Sequence, residues 1–195
     1  MLKNISDDIA CLLVKKRIVS NEKREMYSYG MEVILLNSLN LLIALFISLF
    51  SSTISHFVVF VLVFIPLRMS IGGYHAKTSG SCAIISTLLY IATIVIQNRA
   101  TTKVKFIILL MSFVISILLI LIYAPVEHKN NPLRAKLKKR NRLIALFLVG
   151  IDSITVIICY AFAPHIASSI MIFVILAGIL MLLGLLSKSN TTNDT

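Results

Sequence analysis

Long apolar runs separated by short polar and basic stretches dominate the pattern of this chain. Six runs follow the N-terminal region, at about 31–50, 54–67, 82–97, 104–126, 143–163 and 166–186. A membrane-spanning helix needs about 20 residues, a length that the fourth, fifth and sixth runs reach. The second and third are shorter, and they either span with help from their flanks or re-enter from one side. The pattern predicts an all-α integral membrane protein, a bundle of about six apolar segments.

The residues before the first run predict an amphipathic helix over 5–19. Ser6 is the expected N-cap, and Asp7 and Asp8 favour the first turn. An apolar stripe and a basic far end are typical of a helix that lies in the membrane interface. The stripe consists of Ile5, Ile9, Leu12 and Leu13, and the basic end of Lys15, Lys16 and Arg17. A packed helix or a disordered tail is the alternative interpretation.

Composition agrees with a membrane protein. Hydrophobic residues make up 58% of the 195 residues, against about 45–50% in soluble domains, and the mean hydropathy is +0.94. The length leaves no room for a large soluble domain. The net charge of +11 would indicate nucleic acid in a soluble protein. Here the basic residues lie between apolar runs, which indicates membrane topology, so the expected partner is the lipid bilayer and not nucleic acid.

The basic residues also predict the orientation. With a cytoplasmic N-terminus and six spans, 16 Lys and Arg residues lie inside and three lie outside. The positive-inside rule therefore places both termini, and the loop that carries His75, on the cytoplasmic side of the cell membrane. We expect one polytopic domain over 1–195. It comprises an interfacial segment 1–29, a bundle 30–186 with cytoplasmic loops 68–81 and 127–142, and a cytoplasmic tail 187–195.

Three polar residues interrupt the apolar runs. Asp152 lies mid-run in the fifth segment and is expected to face the bundle interior, either in a functional role or as a polar packing contact. Asn37 and Asn40 in the first run are expected to form hydrogen bonds between helices. The chain has no internal repeat, which weakens a transporter interpretation.

The polar stretch GGYHAKTSGSC, residues 72–82, holds the candidate chemistry. Cys82 follows Ser79-Gly80-Ser81 and precedes an apolar run, a pattern typical of a turn that leads into a helix. The positive end of a helix dipole favours the reactive thiolate. A nearby imidazole from His75 would favour it further and could transfer protons.

Spacing limits how these two residues meet. Seven residues along one straight helix separate them by about 10.5 Å, whereas a hydrogen bond needs about 3 Å. The chain must therefore bend between them, and the residues from Lys77 to Gly80 tolerate a bend. Gly72 and Gly73 would allow close backbone approach. Spacing alone leaves catalysis and a purely structural role both open.

Other candidate ligands and nucleophiles give weaker signals. His75 and Cys82 offer only two ligands, so we expect no metal and no cofactor. Cys11, on the amphipathic helix, and Cys159, within an apolar run, are expected to be inert thiols. The remaining histidines lie near predicted membrane boundaries and are expected to be interfacial; they are His56, His128 and His165.

One family shares this arrangement. The order Glu32, Arg68, Gly72-Gly73-Tyr74-His75-Ala76 and Cys82 resembles the accessory gene regulator B (AgrB) family, membrane cysteine endopeptidases of Gram-positive bacteria. The resemblance continues in APVEHKNNP, residues 124–132, and in the basic loop that follows. Many relatives carry Asp where this chain has Glu127, which is a conservative difference.

The resemblance implies a specific activity. Cys82 would be the nucleophile and His75 its general base, with Glu32, Arg68, Gly72 and Gly73 supporting the site. The substrate would be an AgrD-like precursor peptide that loses its C-terminal tail, forms an acyl-thioester on the enzyme and cyclises to a thiolactone or lactone quorum-sensing signal. A homodimer is also implied.

The roles of two charged groups stay open at this point. Arg68 either pairs with Glu32 or binds a peptide carboxylate, or the two residues only anchor their segments at the membrane interface. The basic loop either attracts the acidic tail of the precursor or only sets the topology. The candidate tail-binding residues are Lys129, Lys136, Lys138 and Lys139.

Two other function classes compete with the peptidase. One is a small multi-pass transporter or exporter with Asp152 in its pathway, and the other is a non-enzymatic membrane scaffold. A Cys82→Ser change would inactivate only the peptidase, and Asp152→Asn would inactivate only the transporter.

Overall fold

A computed structural model describes residues 2–72, 79–99, 103–126 and 135–190, and these residues form helices and no strand. The predicted all-α fold is therefore confirmed for the described part of the chain. The helices are α1 (Leu2–Lys15), α2 (Arg24–Phe50), α3 (Ile54–Ile71), α4 (Ser79–Arg99), α5 (Lys103–Tyr123), α6 (Ala135–Phe162) and α7 (Pro164–Asn190). A 3-10 turn, Asn21–Lys23, leads into α2.

Five of the described helical segments are long and apolar enough to cross a membrane. They are Asn21–Phe50, Ile54–Ile71, Phe106–Tyr123, Leu137–Phe162 and Pro164–Leu186. The third apolar run, 82–97, forms helix α4, whose apolar part, Ile84–Asn98, is shorter. Each predicted run therefore corresponds to a helix, and the integral membrane class is confirmed. The choice between a span and a re-entrant path for α4 stays a prediction.

Helix α3 extends past the apolar run predicted at 54–67. It continues through the charged Arg68 to Ile71 because Leu67 and Ile71 are fully buried and Ser70 is nearly so. The middle of α3, Phe60–Phe64, is a π-helical segment, a wider turn that often marks functional or strained positions.

The chain divides into two compact units by its internal contacts. The first unit comprises Met1–Ser51 and Ala76–Ile91, and the second comprises Ser52–His75 and Ala92–Thr195. Helix α4 contributes its first part to one unit and its last part to the other. The expectation of one domain over 1–195 stays a prediction.

In the first unit, α1 packs along α2. Helix α1 begins at Leu2 and ends at Lys15, so the predicted boundaries 5–19 are wrong at both ends. Ser6 is not the N-cap: its hydroxyl is buried inside the helix and donates to the Lys3 carbonyl at 2.8 Å. The Ser28 hydroxyl on α2 donates to the Asp7 carboxylate, which fixes the contact between the helices.

Polar side chains also join α2 to the first part of α4. The Thr87 hydroxyl donates to the Asn40 side-chain oxygen, so the predicted interhelical role of Asn40 is confirmed. Asn37 is exposed. The hydroxyls of Ser48 and Tyr90 form a hydrogen bond where both side chains are buried. Such bonds contribute to helix association in lipid, where no general hydrophobic force draws helices together.

In the second unit, α7 is the central helix. Its residues from Ala167 to Val174 are all buried, and it packs against α3, α5 and α6. Close approach to α5 requires a small residue: a Cβ at Gly178 would lie 3.0 Å from the Ser116 Cβ. Phe60 and Phe64 of α3 lie with ring centroids 5.4 and 6.0 Å from that of Phe173 on α7.

Candidate active site

Helix α3 ends where the candidate catalytic stretch begins. Gly72 has φ +72° and ψ −148°, a conformation that favours glycine and stops the helix. Its N–H donates to the Arg68 carbonyl at 3.2 Å, and its own carbonyl accepts from the Arg68 guanidinium Nη1. Arg68 therefore caps the C-terminal end of its own helix.

The segment after α5 docks against this end. The Val126 N–H donates to the Ile71 carbonyl at 2.9 Å, and Gly72 and Val126 form an isolated parallel β-bridge. A Cβ at Gly72 would collide with the Val126 carbonyl oxygen. Only glycine therefore fits at position 72, for reasons of both conformation and space. The role of Gly72 in supporting a catalytic site stays a prediction.

The proposed catalytic pair lies beyond this point in the sequence. Cys82 is in the first turn of α4, which begins at Ser79. The predicted helix start near the cysteine is confirmed, but Ser79, Gly80 and Ser81, expected in the turn before it, already belong to the helix. Helix α3 ends at Ile71, before the stretch that carries His75. His75, Gly73 and the Cys82 side chain lie outside the described residues, and their pairing stays a prediction.

The remaining predicted site residues fall on separate elements. Glu32 lies within α2 and is partly exposed. Lys138 and Lys139 are exposed near the start of α6. Lys129 and the Lys136 side chain lie outside the described residues. The pairing of Glu32 with Arg68 and the binding of a peptide by the lysines stay predictions.

His56 makes buried contacts that the sequence did not reveal. It is 2% exposed and lies near the start of the candidate span Ile54–Ile71, and its interfacial location stays a prediction. Its Nδ1 lies 2.9 Å from Ser169 Oγ and its Nε2 lies 3.0 Å from Thr93 Oγ1. Since the Ser169 hydroxyl donates to the His165 carbonyl at 2.9 Å, the Nδ1–H of His56 donates to Ser169.

This His56 cluster, formed by His56, Thr93 and Ser169, joins α3, α4 and α7. The His56 ring also packs on Phe173 with centroids 4.6 Å apart. Hydroxyl residues inside apolar runs were the available signal, but the sequence does not show which of them meet. His165 is exposed, and its interfacial location stays a prediction; His128 lies outside the described residues.

Asp152 faces the interior of the second unit, as predicted. It is 6% exposed and shares a buried stripe of α6 with Val149 and Val156. Its Oδ2 atom has no hydrogen-bond partner among the described residues. Within those same residues, no three His, Cys, Asp or Glu side chains group as ligands for a metal ion.

These features define a class: a multi-pass α-helical membrane protein with a glycine break between two helices and a cysteine at the start of the second. The profile of the Accessory gene regulator B family matches residues 6–186. The chain belongs to this family, which supports a role in quorum-sensing peptide processing with an AgrD-related partner.

Individual relatives agree. The chain is 28% identical over 159 residues to Accessory gene regulator protein B of Staphylococcus aureus (strain bovine RF122 / ET3-1), covering 82% of this chain and 84% of that protein. It is 22% identical over 187 residues to an AgrB-like protein of Clostridium perfringens (strain SM101 / Type A), covering 90% and 87%. No solved structure gives a significant match.

Proposed function

We propose that the chain is a membrane cysteine endopeptidase that removes the C-terminal tail of a small AgrD-like precursor and promotes its cyclisation. The observation that carries this proposal is the family match over residues 6–186, which includes the whole of GGYHAKTSGSC. Cys82 is the nucleophile, and His75 is the general base. Glu32, Arg68, Gly72 and Gly73 support them.

The chemistry needs two acyl transfers. His75 takes the Cys82 thiol proton, and the sulfur attacks the scissile carbonyl. The C–N bond breaks, the tail leaves as an amine with the proton from His75, and a thioester remains on Cys82. A thiol or hydroxyl within the precursor then attacks that thioester. Its proton passes through His75 to the Cys82 sulfur, and the ring closes as a thiolactone or lactone without ATP.

Local structure supports a reactive thiolate at this position. Cys82 lies in the first turn of the 21-residue helix α4, where unpaired backbone N–H groups and the helix dipole favour negative charge. Gly72 ends α3 three residues before His75, and the approach of the His75 imidazole to Cys82 is part of the proposal.

The start of α6 supports binding of an acidic tail. Lys138 and Lys139 lie near the helix N-terminus, where the dipole disfavours positive charge, and both are exposed. Their charge and exposure suit an acidic peptide that approaches from the proposed cytoplasmic side. We propose that these two residues, with Lys129 and Lys136, attract the acidic tail of the precursor.

Further parts of the proposal concern location and assembly. The distribution of basic residues, 16 against three, supports a cytoplasmic site, where a newly made peptide is available. Helix α1 leaves Ile5 and Leu12 exposed, which suits contact with lipid or with an amphipathic leader of the precursor. We also propose a homodimer, by analogy with the family.

Co-expression with the precursor peptide tests the activity. Mass spectrometry would follow loss of the tail with wild type, Cys82→Ala and His75→Ala at matched membrane levels. The proposal requires cleavage by wild type alone. Cleavage that persists without Cys82 would show that another residue cuts, and an intact peptide with wild type would reject that peptide as the substrate.

A further inference from the structure

We infer that the end of α5 is a positioning element of the active site: Val126 anchors the chain at Gly72 and so fixes where the catalytic stretch leaves α3. We call this contact the Gly72–Val126 junction; it comprises Ile71, Gly72, Val126 and the Arg68 guanidinium. The inference rests on the proposed function and extends it to a segment that carries no reactive group.

The junction supplies hydrogen-bond partners for carbonyl groups at the C-terminal end of α3. The last carbonyls of a helix have no partner within it and usually turn to water or to a following glycine. Here the Ile71 carbonyl accepts the Val126 N–H at 2.9 Å, and the Gly72 carbonyl accepts Arg68 Nη1. A distant part of the chain therefore supplies one partner, and a side chain of α3 supplies the other.

Burial makes the junction a fixed point. Ile71 is fully buried, Val126 is 8% exposed, and Ala124 beside it is 5% exposed. The backbone contact is so close that Gly72 has no space for a methyl group. Since packed interiors resist small displacements, the backbone at Gly72 is held in position and direction.

The junction lies close in sequence to the proposed general base and to a proposed tail-binding lysine. Gly72 precedes His75 by three residues, and Val126 precedes Lys129 by three residues. The segment with the general base and the segment with the first proposed tail-binding lysine therefore leave from one anchored point. A displacement of that point moves both segments, and a misplacement of about 1 Å can cost about 100-fold in rate.

Disulfide formation tests the geometry without using activity. Cys11, Cys82 and Cys159 are first replaced by serine in the full chain, and Ile71→Cys is then combined with Val126→Cys. The hydrogen bond between residues 71 and 126 brings their backbones within the range of about 4.4–6.8 Å between Cα atoms that a disulfide needs. Thiol labelling before and after mild oxidation in membranes measures the bridge.

The matched control pair is Ile71→Cys with Ile122→Cys. Ile122 is the penultimate residue of α5, about one turn before Val126, and is 65% exposed. We expect the pair at 71 and 126 to oxidise and the control pair to stay reduced. Equal oxidation of both pairs, or none of the pair at 71 and 126, overturns the junction whatever the enzyme does.

Steady-state kinetics test the positioning role. Gly72→Ala is compared with Gly150→Ala, where no atom lies within 4 Å of the new Cβ. We expect Gly72→Ala to lower kcat for precursor cleavage about 100-fold with KM nearly unchanged, and Gly150→Ala to match wild type. A second variant, Arg68→Lys, keeps the charge but loses the planar donor, and should lower kcat about tenfold.

The outcomes separate the two levels of the proposal. Wild-type kcat in Gly72→Ala and Arg68→Lys, or a rise in KM alone, overturns the positioning role and leaves the peptidase intact. No cleavage by wild type overturns the proposed function and the positioning role together, although the disulfide result still stands as a test of the contact.

Discussion

Replacing His56 by alanine should lower the unfolding free energy of the second unit more than replacing an exposed histidine. His56→Ala removes two side-chain hydrogen bonds, to Thr93 and Ser169, and the ring contact with Phe173. Interhelical hydrogen bonds in membrane proteins contribute about 0.6 kcal/mol on average, with a maximum near 1.7. An aromatic pair contributes about 0.5–1.5 kcal/mol. Together these give about 2–5 kcal/mol of lost unfolding free energy.

Reversible unfolding in mixed detergent micelles measures this loss. The matched control is His165→Ala, because that side chain is exposed while its backbone carbonyl, which accepts from Ser169, remains. We expect the control to change the unfolding free energy by less than about 0.5 kcal/mol. A double-mutant cycle with Ser169→Ala should give a coupling of about 0.6 kcal/mol. The reasoning is refuted if His56→Ala costs no more than His165→Ala.

Three further substitutions test separate statements about the structure. Gly178→Leu should lower the unfolding free energy by about 1–3 kcal/mol and the yield of folded protein, because even a Cβ there lies 3.0 Å from Ser116; an unchanged denaturation midpoint would contradict the close contact of α5 and α7. Ser6→Ala should change the unfolding free energy by less than the roughly 1 kcal/mol typical of a lost N-cap, since its hydroxyl bonds within the helix. Asp152→Asn should leave the rate of precursor cleavage within about threefold of wild type, as expected for a buried side chain outside the reacting groups. Normal cleavage with product trapped inside cells would instead favour an exporter.

The helices could be predicted from the sequence because lipid forces every backbone polar group to bond internally, so a long apolar run becomes a helix. The C-terminal end of α3 could not be predicted from the sequence. Hydropathy falls at Arg68, yet the helix continues to Ile71 because buried Leu67 and Ile71 pack and Arg68 bonds to the Gly72 carbonyl. The N-cap predicted at Ser6 was wrong because α1 begins earlier, at Leu2, and packs along α2.

Part of the candidate site could likewise be predicted from the sequence, and part could not. The glycine, the histidine and the cysteine stand close together in sequence, so their pattern could be recognised. The Gly72–Val126 junction and the bonds of His56 to Thr93 and Ser169 join residues far apart in the chain. Nothing local in the sequence specifies such pairs, because they depend on how separate helices pack.

The most direct test of the central claim is the intact mass of the purified chain after mixing with its precursor. The precursor would carry alanine in place of the ring-closing residue, so that the acyl group stays on the enzyme. The proposal predicts a mass increase equal to the N-terminal part of the peptide, removal of that mass by hydroxylamine, and no adduct on Cys82→Ala. Release of the tail with no adduct on wild type, or an adduct that persists on Cys82→Ala, would contradict it.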